Sequence, residues 1–469
     1  MLVIVNQIYG NTQSAIRSCL LALCTMNGLT CFGDDSVTER VTALVNPYIA
    51  NERVMGMTVG VLQNGTTWVK GYGRFAEKDA RVPDGQTMYE IGSVTKTFTG
   101  ILLADAVVRG RMQLDDAAEK YLPDGAGMPS KGESPITLKH LATHASGLPR
   151  IPENMVLENT DDPYANYSVD QMLEFLSNYK LRRRPVMQIS YSNLGFGLLG
   201  WLVARDAQTD YESLLRDRIT GPLKMNDSLV KLSPSLEQRM ATPYAADGIK
   251  TVPWHIESLA GLGGIHSTVD DMLRYIQANL EPPDSELGKA IELAWQVHQP
   301  PLIKTDFAMG LGWHVARDGH TRWHSGQTAG FHACLYIDRR SKLGFVLLAN
   351  TASFEIDALG ESIVRMLMGI KSEPREFERV VEVSTEAMQR YVGKFELAPN
   401  VVFTININDG KLMVGLTGQP TCRVFPRSET EWFYRVVEAT LTFKIDEDGR
   451  CDTVELFQNG IRQKAKRIQ

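Results

Sequence analysis

The spacing of apolar residues near the start of the chain predicts one helix and one hairpin. Ser36-x-x-Glu39 has the form of a capping box, and apolar residues follow at helical spacing, at Val37, Val41, Leu44, Val45 and Tyr48. Residues 55–62 and 67–72 are rich in β-forming side chains and are separated by Asn64-Gly65, which is typical of a hairpin turn. We therefore expect an amphipathic helix followed by two antiparallel strands.

The periodicity then changes twice between residues 93 and 370. Residues 93–295 follow a mostly helical pattern with long loops such as 150–167. Four β-rich segments come next, before a helical pattern over 355–368: 310–316, 321–324, 331–338 and 344–350. The expected fold class is α+β, with an antiparallel sheet built from both ends of this region, helices on its faces and a helical subdomain beside it.

The C-terminal part is predicted to be a separate, small β domain. Residues 371–385 are charged, contain Pro374 and are expected to form a linker. Short β-rich segments separated by turn residues follow, at 401–406, 411–416, 422–425, 431–436, 441–445 and 453–458. This spacing fits a small antiparallel sheet or barrel. The predicted organisation is a leader over 1–35, a first domain over 36–370, the linker, and a second domain over 386–469.

Charge and composition exclude some classes of protein. Lys and Arg number 49 and Asp and Glu 55, so the net charge of −6 argues against general affinity for nucleic acid. The sequence contains no stretch of the roughly 18 apolar residues that a membrane span needs. Neither nucleic-acid binding nor a membrane-spanning segment is therefore expected.

The first 35 residues resemble a secretory leader. Arg17 is the only charge before Asp34, and residues 18–26 form a short apolar stretch. A secreted or periplasmic protein is therefore expected, while a misassigned start and a disordered tail are the alternatives. Cys31 is a poor match to a lipidation site. Cys422 and Cys451 share the C-terminal domain and could pair in an oxidising compartment.

Ser93 and Lys96 form the first candidate for chemistry. They are three positions apart at a predicted helix start, so both side chains project from the same face of the helix. The amine can then accept the hydroxyl proton as the oxygen attacks a carbonyl, and the helix N-terminus favours the developing negative charge. Ser177 and Lys180 have the same spacing, so this pair alone is not specific.

Two further segments supply what an acyl transfer to serine requires. Tyr191-Ser192-Asn193 offers a second proton carrier, and we expect a nearby ammonium to lower the pKa of its phenol. His324-Ser325-Gly326 ends a β-rich segment, where glycine would let a substrate lie along the strand edge. Tyr164-Ala165-Asn166 is a second Tyr-x-Asn match, which again limits the specificity of a single motif.

Taken in order, 98 and 133 residues apart, the three motifs resemble those of the penicillin-recognising serine hydrolases. The similarity is greatest to class C β-lactamases and the DD-peptidases related to them. Residues 141–149 and 263–272 resemble further stretches of that family, and the likeness extends over roughly residues 36 to 370. The tail from residue 386 resembles the lipocalin-like domain attached to some of these hydrolases.

The resemblance implies a role for each motif residue. Ser93 would form the acyl-enzyme, and Lys96 and Tyr191 would share the proton transfers. The remaining residues would bind the substrate: Asn193 its amide, and His324, Ser325 and Gly326 its carboxylate end. The backbone N–H groups of Ser93 and Gln327 would form the oxyanion hole. Neither a metal nor an organic cofactor is implied.

Two departures from the family pattern leave the substrate open. Class C β-lactamases usually have lysine at the position of His324, and a histidine with an ordinary pKa is mostly neutral at pH 7. Pro185-Val186 stands where Pro-Gly is common. The predicted function is a serine hydrolase that cleaves a β-lactam or a D-amino-acid peptide. The alternatives are a carboxylesterase with the same site and a non-hydrolytic penicillin-binding sensor.

Two histidines were also considered as metal ligands. His140 and His144 are four residues apart, as ligands on one helix can be, but no Glu follows His140. A structural role is therefore the expectation for both.

Overall fold

The computed structural model describes residues 34–155, 162–302 and 305–469, so nearly all of the predicted leader lies outside the described residues. The helices of eight residues or more are α1 Asp34–Ala50, α2 Thr95–Val108, α4 Val169–Asn178, α5 Asn193–Asp206, α8 Val269–Leu280, α9 Glu286–Trp295 and α10 Glu355–Leu367. Shorter helices are α3 Leu138–Ala142, α6 Tyr211–Leu215, α7 Pro234–Glu237 and α11 Thr385–Gln389. No helix among these residues is long and apolar enough to cross a membrane.

A seven-stranded antiparallel sheet, ordered β2-β1-β10-β9-β8-β7-β6, forms the centre of the first domain. Its strands are β1 Gly56–Gln63, β2 Thr66–Gly73, β6 Ala308–Met309, β7 His314–Val315, β8 Thr321–Gln327, β9 His332–Asp338 and β10 Leu343–Ala349. Three short pieces, β3 Tyr89–Glu90, β4 Tyr244–Ala245 and β5 His266–Ser267, and β11 Thr351–Ala352 lie outside it. Since β1 pairs with β10, the prediction of a sheet built from both ends of this region is confirmed.

The two faces of the sheet carry different helices. On one face, apolar residues of α1 and α10 form a core with β1 and β10, including Val41, Tyr48, Phe345 and Ile363. On the other face lies the larger core of the helical subdomain, in which α2 is almost completely buried. This burial explains why α2 lacks an amphipathic pattern, since helices surround it on the sides that the sheet does not cover.

The predicted strand over 310–316 is largely wrong. Gly310 N–H donates to the Trp313 carbonyl in a tight turn, and only His314–Val315 is a strand. Gly312 has a φ of 75°, and a Cβ there would lie 2.2 Å from the Lys96 carbonyl oxygen. Contact with α2 therefore requires glycine and bends the chain, which the strand-forming neighbours could not reveal.

The C-terminal strands close into an eight-stranded antiparallel barrel. It comprises β12 Gly393–Ala398, β13 Val401–Asn408, β14 Lys411–Leu416, β15 Cys422–Pro426, β16 Glu431–Tyr434, β17 Ala439–Ile445, β18 Cys451–Gln458 and β19 Ile461–Arg467. Six of these were predicted. β12 and β19 were missed, because most of their side chains are exposed and several are charged, yet they pair with each other and close the barrel. Cys422 and Cys451, whose pairing the sequence left open, are both buried free thiols and are not bonded to each other.

Candidate active site

Ser93 lies in a 3-10 turn, Gly92–Val94, that leads directly into α2. Gly92 has a φ of 50°, and a Cβ on it would lie 2.8 Å from the backbone nitrogen of Gln327. A Cβ on Gly326 would lie 2.9 Å from the backbone nitrogen of Ser93. The turn therefore packs backbone to backbone against the end of β8, which brings the N–H groups of Ser93 and Gln327 to one place.

Lys96 is fully buried beneath Ser93. Its Nζ lies 2.9 Å from the Ser93 Oγ and donates to the Leu262 carbonyl at 2.5 Å. Burial lowers the pKa of the Lys96 amine well below its ordinary value, and the nearby charge of Arg150 lowers it further. The amine is therefore biased towards its neutral form, which has a lone pair that can accept the Ser93 proton.

Leu262 belongs to a glycine-rich loop that also contains Gly261, Gly263 and Gly264. Residues Ala260–Leu262 form a 3-10 turn, and Gly261 is so close to α5 that a Cβ would lie 2.9 Å from the Phe196 carbonyl oxygen. The loop thus holds the Leu262 carbonyl against the Lys96 amine.

Tyr191 stands next to both residues, with its ring centre 4.9 Å from the Lys96 Nζ. Burial raises the pKa of its phenol to about 12, although the charge of Arg150 and a side-chain hydrogen bond with Ser93 act in the opposite direction. The expected lowering of this pKa is therefore wrong, because desolvation outweighs the nearby positive charge. Tyr191 is a protonated phenol at neutral pH and can relay a proton.

Asn193 begins α5, whose N-cap Ser192 accepts from the Gly195 N–H. The Asn193 Nδ2 donates to the Tyr164 hydroxyl at 3.0 Å, and its Oδ1 is buried without a hydrogen-bond partner among the described residues. Tyr164 is the tyrosine of the second Tyr-x-Asn match. The sequence interpretation treated that match as a coincidence, whereas the fold brings its tyrosine to the site.

His144 and Arg150, which lie between α3 and α4, also border the site, and sequence reasoning gave neither of them a role in it. His144 Nδ1 accepts from the Ser192 N–H at 3.1 Å, and its ring lies 4.2 Å from the Tyr191 ring centre to centre. The guanidinium carbon of Arg150 lies 4.9 Å from the centre of the same tyrosine ring. Tyr191 is thus flanked by His144 and Arg150, and only the His144 position had a signal, its place in the family-like stretch 141–149.

His324 lies on β8 with its ring 6.2 Å from that of Tyr191, but only 2% of the residue is exposed. Its Nδ1 lies 2.6 Å from the Ser325 carbonyl oxygen. Burial lowers its pKa well below the ordinary value, as do His314 and Lys96. The ring is therefore neutral, and because a carbonyl only accepts, Nδ1 carries the proton and Nε2 has none to offer a carboxylate.

Ser325 and Gln327 point to the opposite face of β8 from His324, as alternation along a strand requires. The Gln327 Oε1 lies 2.9 Å from His332 Nδ1, and His332 Nε2 lies 3.0 Å from an Asp357 carboxylate oxygen. The Ser325 hydroxyl has no well-aligned partner in the described part of the chain, yet it lies close enough to Asp357 to help lower the pKa of that carboxyl. A carboxylate therefore stands behind the predicted substrate edge.

Among the described residues, one set of side chains has the types and spacing of metal ligands, and it includes His332 and Asp357 behind β8. Donor atoms of His332, Cys334 and Asp357 lie within 4.8 Å of one another. Cys334 Sγ donates to Asp357 at 3.4 Å, and burial raises the pKa of this thiol well above its ordinary value. Hydrogen bonds within the group account for its arrangement. Of the histidines considered earlier, His140 caps α3 by accepting from the Thr137 N–H.

The alternative Ser-Lys pair lies elsewhere. Ser177 is exposed near the end of α4, where its hydroxyl donates to the Leu173 carbonyl four residues earlier. The tertiary structure therefore distinguishes the two pairs. The structure brings together Ser93, Lys96, Tyr191, Asn193 and the end of β8, while the roles of these residues remain predictions.

Comparison with known proteins identifies the family. The family profile described as "Beta-lactamase" matches residues 41–363, and one described as "Domain of unknown function (DUF3471)" matches 378–467. A β-lactamase of Escherichia coli K12 is 32% identical over 300 residues, which cover 62% of this chain and 74% of that protein. The D-alanyl-D-alanine-carboxypeptidase/endopeptidase AmpH of the same organism is 30% identical over 269 residues, covering 55% and 68%.

A solved structure agrees on the fold. The crystal structure of a β-lactamase/D-alanine carboxypeptidase from Yersinia pestis, complexed with citrate, matches with a TM-score of 0.63 at 23% identity. The match covers 72% of this chain and all of that one. The profile match extends over most of the chain, and the chain therefore belongs to the β-lactamase family of penicillin-recognising serine hydrolases.

Proposed function

We propose that this protein is a serine hydrolase of the class C β-lactamase and DD-peptidase type, which cleaves an amide bond through an acyl-enzyme on Ser93. The substrate is a β-lactam or a D-amino-acid peptide of cell-wall type. The observation that supports this most directly is the buried Lys96 amine, 2.9 Å from the Ser93 Oγ, with a pKa well below its ordinary value. A nucleophile and its base are thus within hydrogen-bonding distance.

The acylation step follows from this geometry. Lys96 takes the Ser93 proton as Oγ bonds to the substrate carbonyl carbon, and the N–H groups of Ser93 and Gln327 stabilise the oxyanion. Tyr191, which is hydrogen-bonded with Ser93, passes a proton to the departing nitrogen as the carbon–nitrogen bond breaks. The Lys96 ammonium then gives up its proton to the Tyr191 phenolate, so both groups return to their starting states. Asn193 donates to or accepts from the substrate amide. Deacylation repeats these transfers with water as the nucleophile.

The relatives support both substrate classes. Those already described are a β-lactamase and a D-alanyl-D-alanine carboxypeptidase/endopeptidase by name. Lys96 and Tyr191 are both present, so the groups that deacylation needs are retained. This argues against the penicillin-binding sensor, which would acylate and remain acylated. We also propose a secreted or periplasmic location, because cell-wall peptides lie outside the cytoplasm.

A carboxylesterase is the second candidate, and the state of His324 favours it. The ring is neutral and buried, and an Asp357 carboxylate lies behind Ser325, so the β8 edge is a poor anchor for a substrate carboxylate. An ester substrate does not need that anchor. Under this alternative, Ser93, Lys96 and Tyr191 keep the same functions.

Covalent labelling tests the proposal. Wild-type protein should be labelled by a fluorescent penicillin or a fluorophosphonate, Ser93→Ala should not, and Ser177→Ala should label as the wild type does. Labelling of Ser93→Ala, or no labelling of the wild type, would contradict it. Turnover of nitrocefin, a D-Ala-D-Ala peptide and a short p-nitrophenyl ester then separates the candidates. A burst without turnover would identify a sensor.

A further inference from the structure

Two backbone hydrogen bonds hold Arg150 beside the candidate active site. Its carbonyl oxygen accepts from the N–H of Asn193 at 2.9 Å and from the N–H of Leu194 at 3.1 Å, at the start of α5. Its guanidinium carbon lies 4.9 Å from the centre of the Tyr191 ring. Arg150 is therefore fixed beside Asn193, and its side chain extends over Tyr191.

The guanidinium has an unused binding capacity. Within the described residues no carboxylate lies within 4.0 Å of it, and its Nε is buried without a hydrogen-bond partner. The residue as a whole is partly exposed. Arginine carries five donors in a planar fork that matches a carboxylate, so a partly exposed and unpaired guanidinium beside a reactive serine is suited to bind an anion.

The charges at the site are placed asymmetrically. The β8 edge carries the neutral His324 and the Asp357 carboxylate behind Ser325. The positive charge of Arg150 is on the Asn193 side, and Lys96 is engaged with Ser93 and Leu262. The proposed function places Asn193 against the substrate amide. If that amide is on the acyl side of the scissile bond, the positive charge of Arg150 faces the acyl part of the substrate.

We infer that Arg150 binds a carboxylate on the acyl part of the substrate and so selects substrates that are anionic on that side. This inference rests on the proposed function. A purely structural role, in which Arg150 only packs on Tyr191, is the competing explanation. The two differ in their consequences, because loss of packing slows every substrate alike, whereas loss of a charge partner slows only the anionic ones.

Carbenicillin and benzylpenicillin form a matched pair for the test, since carbenicillin has an additional carboxylate on its acyl side chain. The measurement is the ratio of their second-order rate constants for acylation. The ratio is used because Arg150 also acts on Lys96 and Tyr191, so removing its charge changes both rates. We expect Arg150→Gln to lower the carbenicillin-to-benzylpenicillin ratio about tenfold, and Arg150→Lys to lower it less.

Arg182→Gln is the matched control, because Arg182 is an exposed arginine paired with Glu153. Its ratio should equal that of the wild type. If the protein prefers esters, mono-p-nitrophenyl adipate and p-nitrophenyl hexanoate provide the same comparison, with a carboxylate replaced by a methyl group. A ratio that Arg150→Gln leaves unchanged would overturn this inference alone. A wild type that reacts with none of the four compounds would overturn the proposed function together with it.

Discussion

Tyr164 and Asn193 come from the two Tyr-x-Asn sequences of the chain and are joined by a hydrogen bond of 3.0 Å. The Asn193 Nδ2 donates to the Tyr164 hydroxyl, while the ring of Tyr164 packs edge-on against Trp254 at 5.5 Å. The orientation of the Asn193 amide therefore depends on a residue 29 positions earlier in the chain. One Tyr-x-Asn sequence thus supplies Asn193 to the site, and the other supplies the tyrosine that binds it.

We expect Tyr164→Phe to slow acylation about fivefold, because it removes one hydrogen bond worth about 1 kcal/mol from the side chain that orients the substrate. The measurement is kcat/KM on the best substrate. Tyr167→Phe is the control, since Tyr167 donates a comparable hydrogen bond to Asn154 and does not contact the candidate catalytic residues. Equal losses of activity in the two variants would contradict a role for Tyr164 at the site.

Lys96 should limit activity on the acid side. Its pKa is lowered by burial and by Arg150, and only the neutral amine can accept the Ser93 proton. Acylation should therefore persist well below pH 10 and decline on the acid side as the amine is protonated. Lys96→Arg should lose at least a hundredfold in acylation rate, because a guanidinium does not deprotonate. An activity profile that rises only near pH 10 would show an ordinary lysine instead.

The burial that keeps the Lys96 amine neutral also makes the stability of the protein depend on pH. The folded state disfavours the charged amine, so the unfolded chain binds more protons between the folded pKa and the ordinary value of 10.5. Wild-type stability therefore rises with pH through this interval. Lys96→Met, which is neutral at every pH, should melt at a higher temperature than the wild type at pH 7, and the difference should shrink towards pH 10. Thermal unfolding at the two pH values measures it.

Glu90 should make stability fall with rising pH, which is the reverse of the effect of Lys96. Burial raises its pKa from 4.5 to about 8, and hydrogen bonds from Thr328 and the Trp254 N–H only partly oppose this. Between these two values the folded protein retains the Glu90 proton, whereas the unfolded chain loses it. The contribution of Glu90 to the free energy of unfolding is therefore greatest below pH 4.5 and falls up to pH 8, by as much as about 1.4 kcal/mol per pH unit. Glu90→Gln should therefore gain in melting temperature relative to the wild type from pH 5 to pH 8. A constant difference would contradict the raised pKa.

Arg435 should anchor the barrel to the first domain. Its guanidinium donates to the carbonyls of Glu52 at 2.7 Å and Asn51 at 3.0 Å, at the end of α1. We expect Arg435→Ala to destabilise the protein by about 2 kcal/mol, because two hydrogen bonds from a charged donor are lost. The linker over 371–384 should also become more sensitive to protease. Arg462→Ala, which removes an exposed pair with Glu455, should change neither measurement.

Several elements could be derived from sequence because their determinants are close neighbours in the chain. The hairpin across Asn64-Gly65 pairs residues a few positions apart, and Ser93 and Lys96 lie within one turn of the chain. Helix α10 was predicted over 355–368 and is observed over Glu355–Leu367. By contrast, β12 and β19 have weak alternation of their own, and their pairing is specified only when the barrel closes.

The spacing of Ser93 and Lys96 predicts that a hydroxyl and an amine face the same way at the start of α2, and the order of the motifs is that of one hydrolase family. The chemical state of those groups depends on contacts that form only when the chain folds. The Lys96 amine meets the Leu262 carbonyl 166 residues away, His324 is buried and neutral, and Arg150 lacks an acidic partner among the described residues. Desolvation and pairing are sums over contacts between distant segments, whereas periodicity reports only on neighbours within a turn or a strand pair.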